Sequence, residues 1–176
     1  YFKVKMEERN IPKTQKAIEK TFNNCKKYNK FREIDKNLFS DYLTRSQKDI
    51  VSAENDFKNE DYYWTRIKAY QSLFHMLNAL LVKKSGYYSK DYSCILAGLM
   101  KENIITGKIA KELQITTDNL EFIQIPEDFI QDVDELRIQR SFALYKPKAW
   151  EDVKKEDIES ELNKIKNNLK ILGGLL

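Results

Sequence analysis

The sequence predicts an all-α protein, built as an antiparallel up-and-down bundle of four to five main helices. Its 176 residues suit one domain with one core. Only 5 Gly and 3 Pro are present, too few for the many tight turns of a β-sandwich or barrel. Between the Gly and Pro residues, apolar residues recur at spacings of three and four, which is the spacing along one face of a helix. We expect a helical extension over residues 1–36, the bundle over 37–172 and a tail over 173–176.

The net charge, the two cysteines and the absence of a long apolar run limit which functions and locations the sequence predicts. The net charge of +4, from 31 Lys+Arg against 27 Asp+Glu, is milder than a dedicated DNA-binding domain usually shows. Cys25 and Cys94 lie far apart and form no CxxC motif, so we expect no disulfide framework and a reducing cytoplasmic location. No apolar run approaches the ~20 residues that span a bilayer, so we expect no membrane association.

The N-terminal half begins with two predicted helices. Residues 1–11 should be loosely ordered, and a first helix should run from Thr14 to about Tyr28. A second helix carries an apolar seam at alternating spacings of four and three, with Ser40 or Asp41 as its N-cap. The seam consists of Phe39, Leu43, Ser46, Ile50, Ala53 and Phe57.

The third helix, from about Asp61 to Lys84, is apolar around most of its circumference. Such a helix is buried, so it should lie at the centre of the bundle. The short polar turn at residues 59–61 makes the second and third helices an αα-hairpin. Gly86 is suited to end the third helix in the left-handed conformation. A shorter fourth helix should run from Tyr92 to about Lys101.

The C-terminal half is less regular before it becomes helical again. Residues 102–117 show at most a helical turn or two. A long element then begins at Asp118 or Pro126 and runs to about Tyr145, stopping before the next proline. The last helix, about Lys155–Leu172, repeats apolar residues at spacings of four and three and is followed by two glycines.

Residues for metal or cofactor chemistry are scarce. His75 is the only histidine, and Ser72 stands three residues before it, so the Glu-x-x-His pairs of di-iron bundles are absent. The chain has no Cys/His set for zinc, no Walker loop and no GxGxxG motif. We therefore expect no metal and no cofactor.

His75 lies on the least apolar strip of the third helix, together with Lys68, Gln71 and Asn78. Two interpretations remain open for it. It is either a structural histidine bonded to a neighbouring helix, or a residue that lines a pocket.

Arg140 lies near the middle of an apolar helix face, and Arg137 lies about 60° from it. A buried guanidinium is costly unless it is paired or opens into a cleft. Arg140 therefore makes either a structural ion pair with a carboxylate or an anion site, because its planar fork suits phosphate oxygens.

Three segments share a residue pattern with a known family of helical proteins. They are Asp61–Leu81, Gly86–Cys94 and Leu136–Tyr145. The first contains Ala69-Tyr70, Phe74-His75 and Ala79-Leu80-Leu81, and the third contains Arg137, Arg140, Ala143 and Tyr145. In order and spacing they resemble the HEPN family (higher eukaryotes and prokaryotes nucleotide-binding domain), in an uncharacterised prokaryotic branch. The similarity extends over about Asp41–Leu172.

The resemblance implies an up-and-down bundle that forms a homodimer through the helices bearing the arginine. Many members bind or act on RNA or nucleotides, often as toxins paired with a nucleotidyltransferase antitoxin. Active members are metal-independent ribonucleases that place an arginine and a following histidine in the dimer cleft. Here Tyr145 stands in the place of that histidine, and a phenol with pKa ~10 is a poor general base near neutral pH.

Three functions follow as expectations. The first is a HEPN-like protein that binds RNA or a nucleotide in a cationic dimer cleft without efficient cleavage. Its ligand-binding candidates are Arg137, Arg140, Tyr145, Tyr70 and His75, and the catalytic candidates are Arg140 and Tyr145. The alternatives are a non-catalytic protein–protein interaction module and a metal-independent ribonuclease toxin with a nucleotidyltransferase partner.

Overall fold

The computed structural model describes residue 12 and residues 14–104 and 154–176, and over these residues the predicted all-α fold is confirmed. The described helices are α1 Gln15–Lys27, α2 Phe39–Lys58, α3 Tyr62–Ser85, α4 Tyr92–Lys101 and α5 Lys155–Gly173. Two strands of three residues accompany them, β1 Phe31–Glu33 and β2 Tyr87–Ser89. The predictions for residues 1–11 and for the elements from about residue 105 to Tyr145 lie outside the described residues.

α3 is the central helix, as its apolar circumference predicted, and it packs against α2, α4 and α5. It is buried along most of its length, with Leu73, Leu77, Leu80 and Leu81 fully enclosed. The Asp61 carboxylate caps its start by accepting the Trp64 N–H at 3.2 Å. Gly86 ends it in the left-handed region at φ 73°, which confirms the predicted stop.

Three of the helices end in the same kind of turn. The residue after the C-cap is left-handed in α1 (Asn29, φ 51°), α2 (Glu60, φ 60°) and α4 (Asn103, φ 55°). At the end of α1, the Lys30 N–H bonds the Cys25 carbonyl at 2.9 Å, the six-residue closure of a Schellman motif. These turns satisfy carbonyls that each helix end leaves without a partner.

The start of α2 differs from the prediction, because neither Ser40 nor Asp41 is its N-cap. A 3₁₀ turn over Lys36–Leu38 leads directly into the helix at Phe39. The Asp35 carboxylate caps that turn by accepting the Asn37 N–H at 2.9 Å. The polar cap therefore lies one turn earlier in the chain than the sequence pattern indicated.

The two strands pair antiparallel, with Arg32 opposite Tyr88. They join the N-terminal extension to the connection between α3 and α4, and the Ile34 N–H extends the contact by donating to the Gly86 carbonyl at 2.9 Å. The sequence did not predict them, since three residues are too few to show an alternating pattern.

The expectation that the chain has no disulfide framework is also wrong. Cys25 of α1 and Cys94 of α4 form a disulfide. Their Cα atoms lie 5.8 Å apart although 69 positions separate them in sequence. The pair forms because α1 packs on α4 and buries both side chains. A cross-link of this span stabilises a fold by roughly 2–4 kcal/mol in the chain-entropy account. The cytoplasmic location, which rested on unpaired thiols, stays a prediction.

α5 closes the bundle against α3. Its apolar stripe is buried as its spacing predicted, with Ile158, Leu162, Ile165 and Leu172 in contact with other elements. Residues beyond the helix also pack on the core, and Lys83 of α3 bonds the Leu176 carbonyl. Among the helices described, none is both long enough and apolar enough to cross a bilayer.

The crossing of α3 and α4 should be sensitive to Gly98. A Cβ atom at Gly98 would lie 2.6 Å from Cδ1 of Leu81, which is fully buried. We expect Gly98→Ala to cost about 2–3 kcal/mol by overpacking, because Leu81 is fully buried, which exceeds the ~1 kcal/mol that alanine contributes in helix propensity. Urea unfolding should therefore show a lower free energy of unfolding.

The matched control is Gly173→Ala, where no atom lies within 4 Å of the added Cβ. This variant should be as stable as the wild type or slightly more so. Equal stability of Gly98→Ala and the wild type would show that Leu81 moves aside and that the close crossing imposes no constraint.

Asp91 joins the start of α4 to the N-terminal extension. Its carboxylate accepts the Ser93 N–H at 3.0 Å and binds Lys30 Nζ at 2.7 Å. Burial alone would raise the pKa of Asp91, but the hydrogen bonds from Lys30 and Ser93 and the charge of Lys30 together lower it below its ordinary value. The ionised carboxylate therefore stabilises the folded state.

This pKa shift predicts a pH dependence of stability. Because the folded pKa is the lower one, the contribution is complete above the ordinary carboxyl pKa of about 3.9 and is lost as pH falls through the folded value. Asp91→Asn keeps a capping side chain but removes the charge. Its deficit in free energy of unfolding should be largest near pH 7 and shrink toward pH 3. Lys30→Met should show the same profile, and a deficit independent of pH would contradict this account.

Candidate functional site

A ladder of polar contacts joins α2 to α3. At its centre, Ser46 Oγ donates to the Ser72 carbonyl at 2.7 Å, and Ser72 Oγ donates to the Ser46 carbonyl at 2.8 Å. Both serines are buried, at 1% and 0% exposure. The small side chains let the two helices approach closely, and the reciprocal bonds satisfy hydroxyls that burial would otherwise leave without partners.

One turn from the serines lies a charged group that we call the Asp49–His75 cluster, formed by Arg45, Asp49 and His75. Asp49 Oδ2 lies 2.8 Å from His75 Nδ1, and Asp49 Oδ1 lies 3.1 Å from Arg45 Nε. The side chains become more exposed outward, from 10% for Asp49 to 21% for His75 and 64% for Arg45. The buried carboxylate thus holds two groups that reach toward solvent.

The contact with Asp49 determines which ring nitrogen of His75 carries the proton and which one is left to accept a hydrogen bond. A carboxylate accepts hydrogen bonds, so the neutral ring carries its proton on Nδ1, toward Asp49. Nε2 is then left as an acceptor, and the ring orientation is held by the carboxylate. Such a histidine can accept a proton or a hydrogen bond from a ligand.

Two other residues of the strip around His75, Lys68 and Asn78, are also bonded to neighbouring elements. Lys68 Nζ lies 2.7 Å from Asp56 Oδ2 of α2. The amide of Asn78 accepts the Ser89 N–H at 3.1 Å and so fixes β2 to α3. The hydrogen bond to a neighbouring helix that the structural interpretation of His75 requires is therefore present. Its alternative role as a ligand-binding residue stays a prediction.

An open groove of about 340 Å³ lies between α2, α3 and the end of α5. Its walls are mainly apolar, and Ser46, Gln47 and Lys170 supply the polar atoms. The volume is within the range of small-molecule sites, but few polar groups converge to orient a ligand. His75 is not one of the residues that line it.

The other predicted site residues are placed differently. Tyr70 is 5% exposed and packs in the core beside Phe74, with ring centroids 6.5 Å apart. Its ring therefore contributes to packing. Arg137, Arg140 and Tyr145 lie outside the described residues.

The sequence interpretation missed Asp49, the carboxylate partner of His75. Asp49 stands three residues after Ser46 and four before Ala53, a spacing that places it beside the apolar seam of α2. A carboxylate at such a position needs a cationic or donor partner on the facing helix. Together with the lone histidine of α3, this spacing was the available signal.

An ion pair between α3 and α5 was also missed. Arg66 binds Glu161 with two bonds, from Nε to Oε2 at 2.7 Å and from Nη2 to Oε1 at 2.5 Å. Both side chains are nearly buried, at 12% and 14% exposure. Arg66 is therefore an arginine in a structural ion pair. Such a pair is one of the two interpretations that the sequence analysis left open for Arg140.

The described part of the chain contains no candidate metal-binding site. There, no group of three or more His, Cys, Asp or Glu side chains is arranged to hold a metal ion. The Asp49–His75 cluster has one carboxylate and one imidazole, and its third member is a cation.

Fold and site together define an all-α protein organised around an antiparallel helix hairpin with a polar cluster between its helices. The family model of the HEPN domain matches residues 39–174, from the first residue of α2 to just beyond α5. The chain therefore belongs to the HEPN family, whose domains commonly dimerise and have nucleotide- or RNA-related functions. No curated protein and no solved structure matches it. α1 and β1 precede the matched region.

A double-mutant cycle should measure how strongly Asp49 and His75 interact. Asp49→Ala leaves His75 without its carboxylate, and we expect a loss of about 1–3 kcal/mol in free energy of unfolding. The coupling energy with His75→Ala should be roughly 0.5–3 kcal/mol by urea unfolding.

Arg45→Ala is the matched control, because it removes the exposed partner of the same carboxylate. It should cost at most about 1 kcal/mol. Additive effects of Asp49→Ala and His75→Ala would show that the contact contributes nothing to stability.

Proposed function

We propose that this protein binds RNA or a nucleotide in a cationic cleft between two copies of the chain, with little or no cleavage. The observation that carries the proposal is the HEPN match over residues 39–174, which includes the segment with Arg137 and Arg140. Nucleotide- or RNA-related function is what the family has in common, and the proposal adds the residues and the cleft.

In this proposal the two arginines hold phosphate oxygens. A guanidinium presents a planar fork of donors that matches two phosphate oxygens at once, and its charge persists at every physiological pH. Tyr145 stands at the C-terminal end of the same segment, where its hydroxyl would donate a hydrogen bond or its ring would stack on a base.

The absence of efficient cleavage follows from Tyr145. A ribonuclease that works without a metal needs a group that accepts a proton near neutral pH. The ordinary phenol, with pKa about 10, is protonated there and cannot serve. Binding by the arginines does not depend on that proton transfer.

A metal-independent ribonuclease is a second candidate, and the Asp49–His75 cluster favours it. His75 is 21% exposed, its Nδ1 is held by Asp49, and its Nε2 has no hydrogen-bond partner among the described residues. It therefore has the arrangement of a general base, and it lies on α3, outside the sequence segment that contains Arg140.

The test measures RNA binding and cleavage in EDTA for the wild type and for Arg140→Ala. Removing a charged hydrogen-bond donor should weaken binding by about 10- to 100-fold. The dependence of log K on log salt should also become shallower by about 0.7 per lost phosphate contact on single-stranded RNA. Lys58→Ala removes one exposed positive charge at the end of α2 and should change affinity little. Light scattering and circular dichroism would verify dimer state and folding.

The outcomes separate the candidates. Salt-sensitive binding without cleavage, weakened in Arg140→Ala, supports the binding protein. Cleavage that disappears in both Arg140→Ala and His75→Asn supports the ribonuclease. If the folded wild type neither binds nor cuts RNA and binds no nucleotide, the proposal fails and the interaction module becomes the better account.

A further inference from the structure

The N-terminal extension and β2 form a basic depression of about 170 Å³, which we call the strand pocket. It is lined by Asn29, Lys30, Arg32, Tyr88, Lys90 and Asp91. Three of these side chains are cations and one is an anion. Such a concave basic surface attracts polyanions.

We propose that the strand pocket is a second RNA-binding surface, one that takes consecutive phosphates and a base of single-stranded RNA. It deepens the proposed function and rests on it, since it assumes that the ligand is RNA. Asn29, Lys30 and Arg32 precede residue 39, where the family match begins, so half of the residues that line this surface lie outside the matched region.

Two of the cations are available to a ligand. The single acidic group, Asp91, is already bound to Lys30 at 2.7 Å and to the first amides of α4. Arg32 and Lys90 are exposed and make no ion pair with any described residue. Their charge is therefore not neutralised within the pocket.

Aromatic rings lie beside these cations. Tyr88 faces Arg32 across the strand pair and stacks on Tyr42, with ring centroids 5.3 Å apart and an interplanar angle of 24°. Burial and the neighbouring Tyr88 raise the pKa of Tyr42 above its ordinary value. Nearby Tyr28 is 65% exposed. Cations next to ring faces are the combination by which proteins hold single strands.

The size of the pocket favours a polymer over a free nucleotide. Sites that enclose a small ligand measure about 300–1,000 Å³, whereas the strand pocket is about 170 Å³ and open. It is large enough for a phosphate group and its surroundings. The remainder of a bound chain would continue over the adjacent basic surface at the end of α1, where Lys26 and Lys27 lie.

The backbone of the pocket is fixed before any ligand arrives. Asn29 and Lys30 belong to the Schellman turn that ends α1, and Cys25 ties the same turn to α4. On the other side, Ser89 Oγ donates to the Lys30 carbonyl at 2.8 Å. Because the backbone that carries these side chains is already ordered, less conformational entropy is lost when a ligand binds.

The experiment compares the full chain with the double variant Arg32→Ala/Lys90→Ala by fluorescence anisotropy on a labelled 20-nucleotide oligouridylate. The double variant should bind about tenfold or more weakly, with a salt dependence shallower by about 1.4, since two phosphate contacts are lost. Lys16→Ala/Lys20→Ala is the matched control. It removes the same charge from exposed positions in the first half of α1, and it should bind within twofold of the wild type.

Tyr88 separates stacking from charge. Tyr88→Ala should weaken binding by about 5- to 150-fold, the range for one stacked base. Tyr88→Phe keeps the ring and should bind like the wild type. Circular dichroism confirms that each variant is folded.

Each outcome decides a different point. If the wild type and the double variant bind RNA equally while Arg140→Ala does not, the strand pocket is overturned and the proposed cleft stands. If the wild type binds no RNA, the strand pocket is overturned, and the proposed function then stands only if the chain binds a nucleotide. If polyglutamate displaces RNA from the pocket more effectively than unlabelled RNA does, the pocket is a site for an acidic protein and the proposal is overturned.

Discussion

The close approach of α2 and α3 is the contact on which the rest of this structure depends. Two buried serines exchange hydrogen bonds with each other's backbone carbonyls, which is feasible only because neither side chain holds the helices apart. With one side of α3 covered in this way, its other sides are left for α4 and α5. Both contacts are tight: Gly98 of α4 leaves no space beside Leu81, and Arg66 is paired with Glu161 of α5.

The N-terminal extension is integrated into the domain although it lies outside the family match. Three different interactions attach it: the Cys25–Cys94 disulfide, the pairing of β1 with β2, and the ion pair of Lys30 with Asp91. Ile18 of α1 also belongs to the main apolar core. Because covalent, backbone and ionic contacts all act on the same short segment, its backbone is held in a fixed position relative to β2.

The mild net charge conceals an uneven distribution. Within the described chain, several cations are neutralised by carboxylates on other elements, as in Lys68 with Asp56 and Lys166 with Glu54. Arg32 and Lys90 are not paired with any described carboxylate, and they lie together in the strand pocket. Average composition therefore underestimates the local attraction for a polyanion, since the field at a surface depends on unpaired charges.

The sequence by itself determined the helices, because their signals are local. The starts of α1 near Thr14 and of α3 near Asp61, Gly86 as a stop and the bounds of α4 follow from a period of 3.6 residues and from breakers within one turn. The family resemblance carried by the same segments was also correct.

Only the tertiary structure decided which distant residues meet. Asp49 bonds a histidine 26 positions away, and Cys25 bonds a cysteine 69 positions away. Arg32 faces Tyr88 across a two-stranded sheet that no sequence pattern predicted. Each of these pairs depends on how one helix is rotated and placed against another. That arrangement results from the packing of all elements at once, and a periodicity within one segment does not contain it.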